Sequence, residues 1–303
     1  PFRSRVEAMD GLVMAMTAIA SGLVTRTSAG PVLLGLGAQK AGTSWLHHNL
    51  HRRNDADFGF CKEYHIHDAL FLPQFSRFQP KRPMPWKWRT WRRARFLNRP
   101  ERYFDYFLSL LKQRDIKLTG DITPSYACLE PQTLTWIRQE LEHRNIAIRT
   151  VFVMRDPLDR WLSQHRMQLR KKGQLHPDAE RDHFQALASK SMNSNRVSLR
   201  SDYTATLNAL NRVFSPDQIF IGFYEQLFSE AEYSRLCAHL NVEYQEPLWQ
   251  QRINASEITT NLPDSLMAQL GRCHAETYQS MVKQFPIIEA DQLWPTAQRW
   301  CKI

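Results

Sequence analysis

Between residues 33 and 50 the chain makes a transition that few folds accommodate. The apolar run Leu33-Leu34-Gly35-Leu36-Gly37 gives way to Ala38-Gln39-Lys40-Ala41-Gly42-Thr43-Ser44, and a helical pattern from Trp45 to Leu50 follows at once. A buried strand, a tight loop and a helix N-terminus stand in sequence. Free backbone N–H groups at a helix start favour an anion, and Gly42 lets the backbone approach it closely. Lys40 adds a mobile positive charge, and Thr43 and Ser44 add donors. The loop suits a phosphate group. The same residues also fit an ordinary strand-to-helix turn with a surface lysine. The usual nucleoside-triphosphate loop places its lysine directly after the last glycine, whereas Lys40 precedes Gly42 by two residues.

A second stretch points the same way. Ile148 to Met154 alternates β-branched, aromatic and apolar residues as a buried strand does. Arg155-Asp156-Pro157 follows. Asp156 can cap the next helix and Pro157 suits its first position. Arg160, Ser163, Arg166 and Arg170 recur at three- and four-residue spacing and are expected on one face. Arg155 sits at a strand's C-terminal end, where open α/β sheets bind ligands. A guanidinium fork with a serine hydroxyl clamps phosphate well. The alternative is a solvated basic helix face.

At these residues the chain resembles the sulfotransferases that use 3′-phosphoadenosine 5′-phosphosulfate (PAPS). Gln39-Lys40-Ala41-Gly42-Thr43-Ser44, running into Trp45, is similar to their 5′-phosphosulfate loop. Arg155-Asp156-Pro157, with Ser163 eight residues after the arginine, is similar to their 3′-phosphate motif. Lys62-Glu63-Tyr64-His65 resembles the Lys-Glu-x-His segment of the heparan-type enzymes, where the Glu is the catalytic base. Gly120-Asp121-Ile122-Thr123-Pro124-Ser125-Tyr126 resembles their Gly-Glu-x-Thr-Pro-x-Tyr segment. Asp121 replaces the usual Glu. Ile122 stands where several glycosaminoglycan enzymes carry Lys, which speaks against a polysaccharide acceptor. Tyr203 to Leu227 resembles the Tyr-helix-strand segment, and Arg252-Ile253-Asn254-Ala255-Ser256 the start of the C-terminal lid, residues 250–262. The match runs from residue 31 to about residue 285 and is closest to heparan-sulfate-type and bacterial carbohydrate or lipid sulfotransferases.

The resemblance implies PAPS as co-substrate, adenosine 3′,5′-bisphosphate as product and no metal. Gln39, Lys40, Ala41, Gly42, Thr43, Ser44 and Trp45 would hold the 5′ end, and Arg155 and Ser163 the 3′-phosphate. Tyr203, Arg252 and Asn254 would complete the nucleotide site. Lys40 would stabilise the bridging oxygen on which charge builds as the sulfuryl bond breaks. Glu63 would take the acceptor's proton, with His65 orienting it or serving as the base itself. His67 repeats the spacing and reads as a hydrogen-bonding or capping histidine. Asp121, Thr123 and Tyr126 would shape the cleft. The expected acceptor carries a hydroxyl, less often an amine, and includes anionic compounds.

Strands are expected at Val32–Gly37, Asp57–Phe60, Lys117–Asp121, Ile148–Met154 and Gln218–Tyr224. Helices are expected at Ser44–Arg53, Gln132–Arg144, Pro157–Lys172, Tyr203–Phe214, Leu227–Leu240 and Ser265–Phe285. This alternation predicts an α/β fold: a P-loop-type parallel sheet of about five strands flanked by helices on both faces, spanning residues 31–303 as one domain. Residues 73–102 break the rhythm with five prolines and three tryptophans, Trp86, Trp88 and Trp91. Nine Lys or Arg lie between Lys81 and Arg102, against one acid, Glu101. The bland reading is a basic surface with tryptophans packed underneath. The functional one is contact with an anionic acceptor or membrane surface, ahead of nucleic acid. Residues 173–198 are polar and read as a flexible excursion.

A hydrophobic fraction of 43% describes a globular chain, and a net charge of +10 suits an anionic ligand. Cys61, Cys128, Cys237, Cys273 and Cys301 are odd in number and without metal-ligand spacing, as expected of free thiols in the cytoplasm. Residues 1–30 read as an apolar helix or extension. Gly11 to Val24 is uncharged but shorter than the roughly 20 residues of a bilayer span. The alternative, a trimmed anchor, would place the enzyme in a secretory lumen. Two rival functions remain: a P-loop kinase with Asp121 as its acid, and a non-catalytic binder of anionic polymers.

Overall fold

The computed structural model describes residues 30–81, 84–191, 199–251, 261–290 and 292–301. Its centre is a parallel sheet of four strands: β1 (Val32–Gly37), β2 (Thr119–Ile122), β3 (Ile148–Met154) and β4 (Ile219–Phe223), in the order β2-β1-β3-β4. All six residues of β1 are buried. Helices covering a parallel sheet leave its central strands no polar face, which explains the unbroken apolar run. Val32 lies opposite Thr119 on one side and Ile148 on the other. The chain leaves β1 toward β2 and leaves β3 toward β4, so the strand order reverses between β1 and β3. A crevice forms at that point, outside the carboxyl ends of the strands. The two loops singled out in the sequence emerge there side by side, and Ala38 N–H donates to Val153 O at 2.7 Å.

The expected fifth strand is absent. Only Ala56 bridges to Leu118, and Asp57–Phe60 turns instead. Gly59 adopts φ +70°, and its N–H donates to Asp57 Oδ1 at 2.7 Å. That local hydrogen bond competes with a strand ladder and ends it.

The flanking helices are α1 (Thr43–His51), α2 (His67–Phe71), α3 (Trp88–Asn98), α4 (Glu101–Leu111), α5 (Pro131–Glu142), α6 (Pro157–Lys171), α7 (Pro177–Ser191), α8 (Tyr203–Val213), α9 (Glu230–His239), α10 (Asp264–Arg272) and α11 (Ala275–Gln284), before two short C-terminal helices. Asp156 caps α6 as its position suggested: its carboxylate accepts from Leu158 N–H at 3.0 Å and Asp159 N–H at 3.2 Å. The helix expected over 265–285 is two helices, separated at Cys273 and His274.

Residues 177–191, expected as part of a flexible excursion, form α7. Phe184 and Ala188, one turn apart, are buried, and so is Glu180, which pairs with Arg166 at 2.6 Å. Buried residues from Val32 to Ala297 form one continuous apolar cluster. Among the described residues no helix is long and apolar enough to cross a membrane.

Candidate active site

A cleft of about 910 Å³ opens at the carboxyl ends of β1 and β3. Its floor is the loop after β1. Gly42, the residue before α1, adopts φ +77°, a conformation that a side chain disfavours. A Cβ there would also meet the Leu227 side chain at 2.6 Å. Gln39, Lys40, Thr43, Ser44 and Trp45 line the cleft. Ala41 does not: it is fully buried, and its N–H turns back to Ala38 O at 3.2 Å.

Positive charge concentrates here. Burial lowers the Lys40 pKa to about 8, and repulsion from Arg170, Arg155, Lys62 and Lys171 pushes the same way. So many cations around one lysine favour an anion among them. Arg155 donates to Lys40 O at 3.1 Å and lies 4.5 Å over the Tyr224 ring. Its Nε is buried without a partner among the described residues.

Ser163, Arg166 and Arg170 of α6 line the same wall, but Arg160 does not. It turns inward, fully buried, and donates to Ser201 Oγ and Gln164 Oε1, each at 2.9 Å. Tyr203 also lies beneath the cleft rather than in it. Its hydroxyl donates to Arg155 O at 2.8 Å, so it fixes the strand end that carries the arginine. Arg252 and Asn254, with most of the expected lid, lie outside the described residues.

Opposite the loop stands a chain of charged groups. Lys62 Nζ donates to Thr43 Oγ1 at 3.1 Å, Ser44 Oγ at 3.2 Å and Glu63 Oε1 at 2.9 Å. Glu63 Oε2 lies 3.2 Å from His65 Nε2, and His65 Nδ1 lies 2.7 Å from Asp68 Oδ2. Asp68 is fully buried and accepts from Ser125 Oγ at 2.5 Å. Phe78 stacks flat on the imidazole at 3.5 Å.

A carboxylate on each side holds this imidazole in place. Burial would raise the Glu63 pKa, but hydrogen bonding to His65 and the Lys62 ammonium win and hold it at about 2. Burial would lower the His65 pKa, but Asp68 and Glu63 win and raise it. Lys62 and His65 thus grip the Glu63 carboxylate from either side, and Asp68 holds the far nitrogen of the imidazole.

His67 departs from expectation. Both ring nitrogens are buried without a hydrogen bond among the described residues, and burial lowers its pKa to about 3. It is a neutral aromatic filler among Tyr103, Phe104, Tyr126 and Trp136. Asp121 is fully buried too. It accepts from Thr123 Oγ1 at 2.5 Å and from the Tyr103 and Tyr126 hydroxyls at 2.9 Å each. It ties β2 to the segment around Tyr64 and is no part of the cleft surface.

Sequence reading missed Asp68, Arg77, Arg200 and the aromatic wall of Tyr224, Phe228 and Trp249, all of which line or support the cleft. Arg200 hydrogen-bonds Gln39 Oε1 and sits 4.9 Å over Phe75. Trp45 stacks on Trp249 with ring centroids 5.9 Å apart. Nothing near these residues in sequence marks them. Only Asp68, three residues after His65, offered a local signal. Among the described residues no group of three or more His, Cys, Asp or Glu is placed to hold a metal ion.

A family model described as "Sulfotransferase domain" matches residues 32–253. Among solved structures, a sulfotransferase from Alicyclobacillus acidocaldarius aligns with a TM-score of 0.53 at 18% identity, over 87% of this chain and 97% of that one. The sulfotransferase domain of the curacin biosynthetic pathway aligns at 0.42 and 15% identity, over 76% and 80% of the two chains. That of the Synechococcus PCC 7002 olefin synthase aligns at 0.44 and 14%, over 80% and 85%. At such identities the first likeness speaks for the fold alone. No curated protein matches the sequence.

Proposed function

This chain belongs to the sulfotransferase domain family, and from that premise we propose that it moves a sulfuryl group from PAPS to a hydroxyl of a carbohydrate, lipid or small-molecule acceptor. One observation carries the reading. Lys62 Nζ joins the loop hydroxyls of Thr43 and Ser44 to the carboxylate of Glu63, all within 3.2 Å. A phosphosulfate-binding loop and a proton acceptor thus stand one lysine apart.

The residues divide the work. Backbone N–H groups from Gly42 to Ser44 hold the 5′-phosphate. Arg155 and Ser163 hold the 3′-phosphate. The aromatic wall offers the flat faces on which a purine stacks. Lys40 neutralises charge on the leaving oxygen, where a preorganised cation acts most strongly. Glu63 takes the proton from the attacking hydroxyl. Held at a pKa of about 2 it is a weak base. Lys62 is the remedy: when its ammonium turns to the anionic sulfuryl group, Glu63 loses a stabilising charge and becomes more basic. His65, anchored by Asp68, keeps the carboxylate aimed.

A P-loop kinase needs a hydroxyl beside the loop lysine and an acid at a neighbouring strand end to hold metal. Ala41 occupies the first place, and Asp121 is buried under three hydroxyl donors.

Calorimetry with adenosine 3′,5′-bisphosphate in the presence of a chelator tests the reading. Binding in the micromolar range or tighter is expected, with a rise in Tm by mass action. Arg155→Ala should weaken it by about 1.5–3 kcal/mol, as for a hydrogen bond to a charged group, and Ser163→Ala by about 0.5–1.5 kcal/mol. Far tighter binding of ATP with Mg²⁺ would favour the kinase.

A further inference from the structure

The segment from Met84 to Arg102 has no part in the chemistry above, yet it carries a cluster of exposed tryptophans among basic residues. Met84, Trp86, Trp88 and Trp91 expose 37%, 75%, 50% and 37% of their surface. The tryptophans are not packed underneath, as the bland reading of the sequence held. Lys87, Arg89, Arg92, Arg95 and Arg99 stand among or just after them in the sequence, with no acid before Glu101.

The inner face of α3 is firmly seated. Ala94, Phe96 and Leu97 are buried, and Phe60 packs against Trp88 at 5.5 Å and Phe96 at 6.2 Å. Arg93 donates to Glu63 O at 3.0 Å. The outer face is thus a rigid amphipathic surface attached to the backbone of the proposed base.

We infer that the segment from Met84 through α3 docks on an anionic lipid bilayer and delivers the cleft to a lipid hydroxyl at the interface. Charge complementarity and residue type support this occupant. Tryptophan concentrates where one end of a side chain is apolar and the other wet. A basic helix with exposed tryptophans lies in the headgroup region, held by apolar burial and attraction to anionic lipid.

A nucleic acid would use the same residue types, but it stacks bases on open aromatic faces. Here Arg89 lies 5.4 Å over Trp88 and Arg95 lies 4.7 Å over Trp91. Those two rings already have a cation on one face, which leaves Trp86 as the one tryptophan of the patch, among the described residues, with no cation over it. The docking rests on this surface alone; the choice of a lipid hydroxyl as acceptor rests on the sulfotransferase reading.

Vesicle flotation tests it, with phosphatidylcholine vesicles compared against the same vesicles containing phosphatidylglycerol. The protein should float at least about tenfold more strongly with the anionic vesicles, with a blue shift of tryptophan emission. The triple variant Trp86→Ser, Trp88→Ser, Trp91→Ser should lose about tenfold or more of that affinity while keeping its Tm and bisphosphate binding. If the triple variant fails to fold, Trp86→Ser alone, at the most exposed ring, should still lose severalfold.

Equal flotation of wild type and variants, or none with anionic vesicles, would overturn the proposal. So would a tryptophan-dependent affinity for single-stranded DNA above that for the vesicles. Bisphosphate titration of the same preparations keeps this outcome separate from the sulfotransferase reading.

Discussion

Lys40→Ala should lower turnover a hundred- to a thousandfold in a protein that stays folded. Lys40 stands in a cleft rather than the core, so its loss opens no cavity. What disappears is a cation placed where charge develops, a contact of the kind worth about 2.7–4 kcal/mol. The pH dependence follows from its surroundings. Burial and neighbouring cations hold its pKa at about 8. The ammonium is present below that pH and fades above it. kcat/KM should therefore fall as pH rises past about 8, and Lys40→Arg should remove that limb because a guanidinium does not titrate there. Stopped-assay kinetics across pH, with circular dichroism as the folding control, decides the matter. Near wild-type turnover in folded Lys40→Ala would remove the catalytic role of the loop and leave the polymer-binding alternative standing.

Glu63→Gln should lower turnover by about a hundredfold or more while changing bisphosphate affinity little. The amide keeps the shape and one acceptor oxygen but cannot accept the proton as a carboxylate does. His65→Ala separates the two candidates. If Glu63 is the base, His65→Ala leaves partial activity, because the accepting carboxylate still lines the cleft. If Glu63→Gln is nearly silent and His65→Ala is dead, the imidazole is the base and Glu63 its orienter. The geometry permits the comparison because Asp68 and Glu63 hold opposite nitrogens of one ring.

The most legible parts of this fold are those whose signals are local. β1 and β3 have the bounds that their strand patterns suggested; β1, buried on both faces, has no polar side chain at all. The Asp156 cap and Pro157 mark the start of α6 for the same reason. The Asp57–Phe60 run misleads because it is short and Gly59 takes a left-handed turn. α7 hides because only Phe184, Ala188 and Glu180 face inward from a polar segment.

The loop residues other than Ala41, with Glu63, His65, Arg155 and Ser163, were singled out in the sequence and all line the cleft. Helical spacing misplaced Arg160, because sharing a face said nothing of its inward turn toward Ser201, 41 residues away. Arg200 and the aromatic wall come from distant segments that only the folded chain brings together. Periodicity gives a face of a helix; it does not say which long side chain reaches solvent and which folds back.

The most direct test of the central claim is transfer itself. Sulfur-labelled PAPS is incubated with the protein and a chelator against sugars, anionic and neutral lipids, phenols and amines. The label should pass to a hydroxyl-bearing acceptor, with adenosine 3′,5′-bisphosphate formed in equal amount and both products lost in Lys40→Ala. PAPS left intact with every acceptor class, while the γ-phosphate of ATP is transferred once Mg²⁺ is supplied, would contradict it.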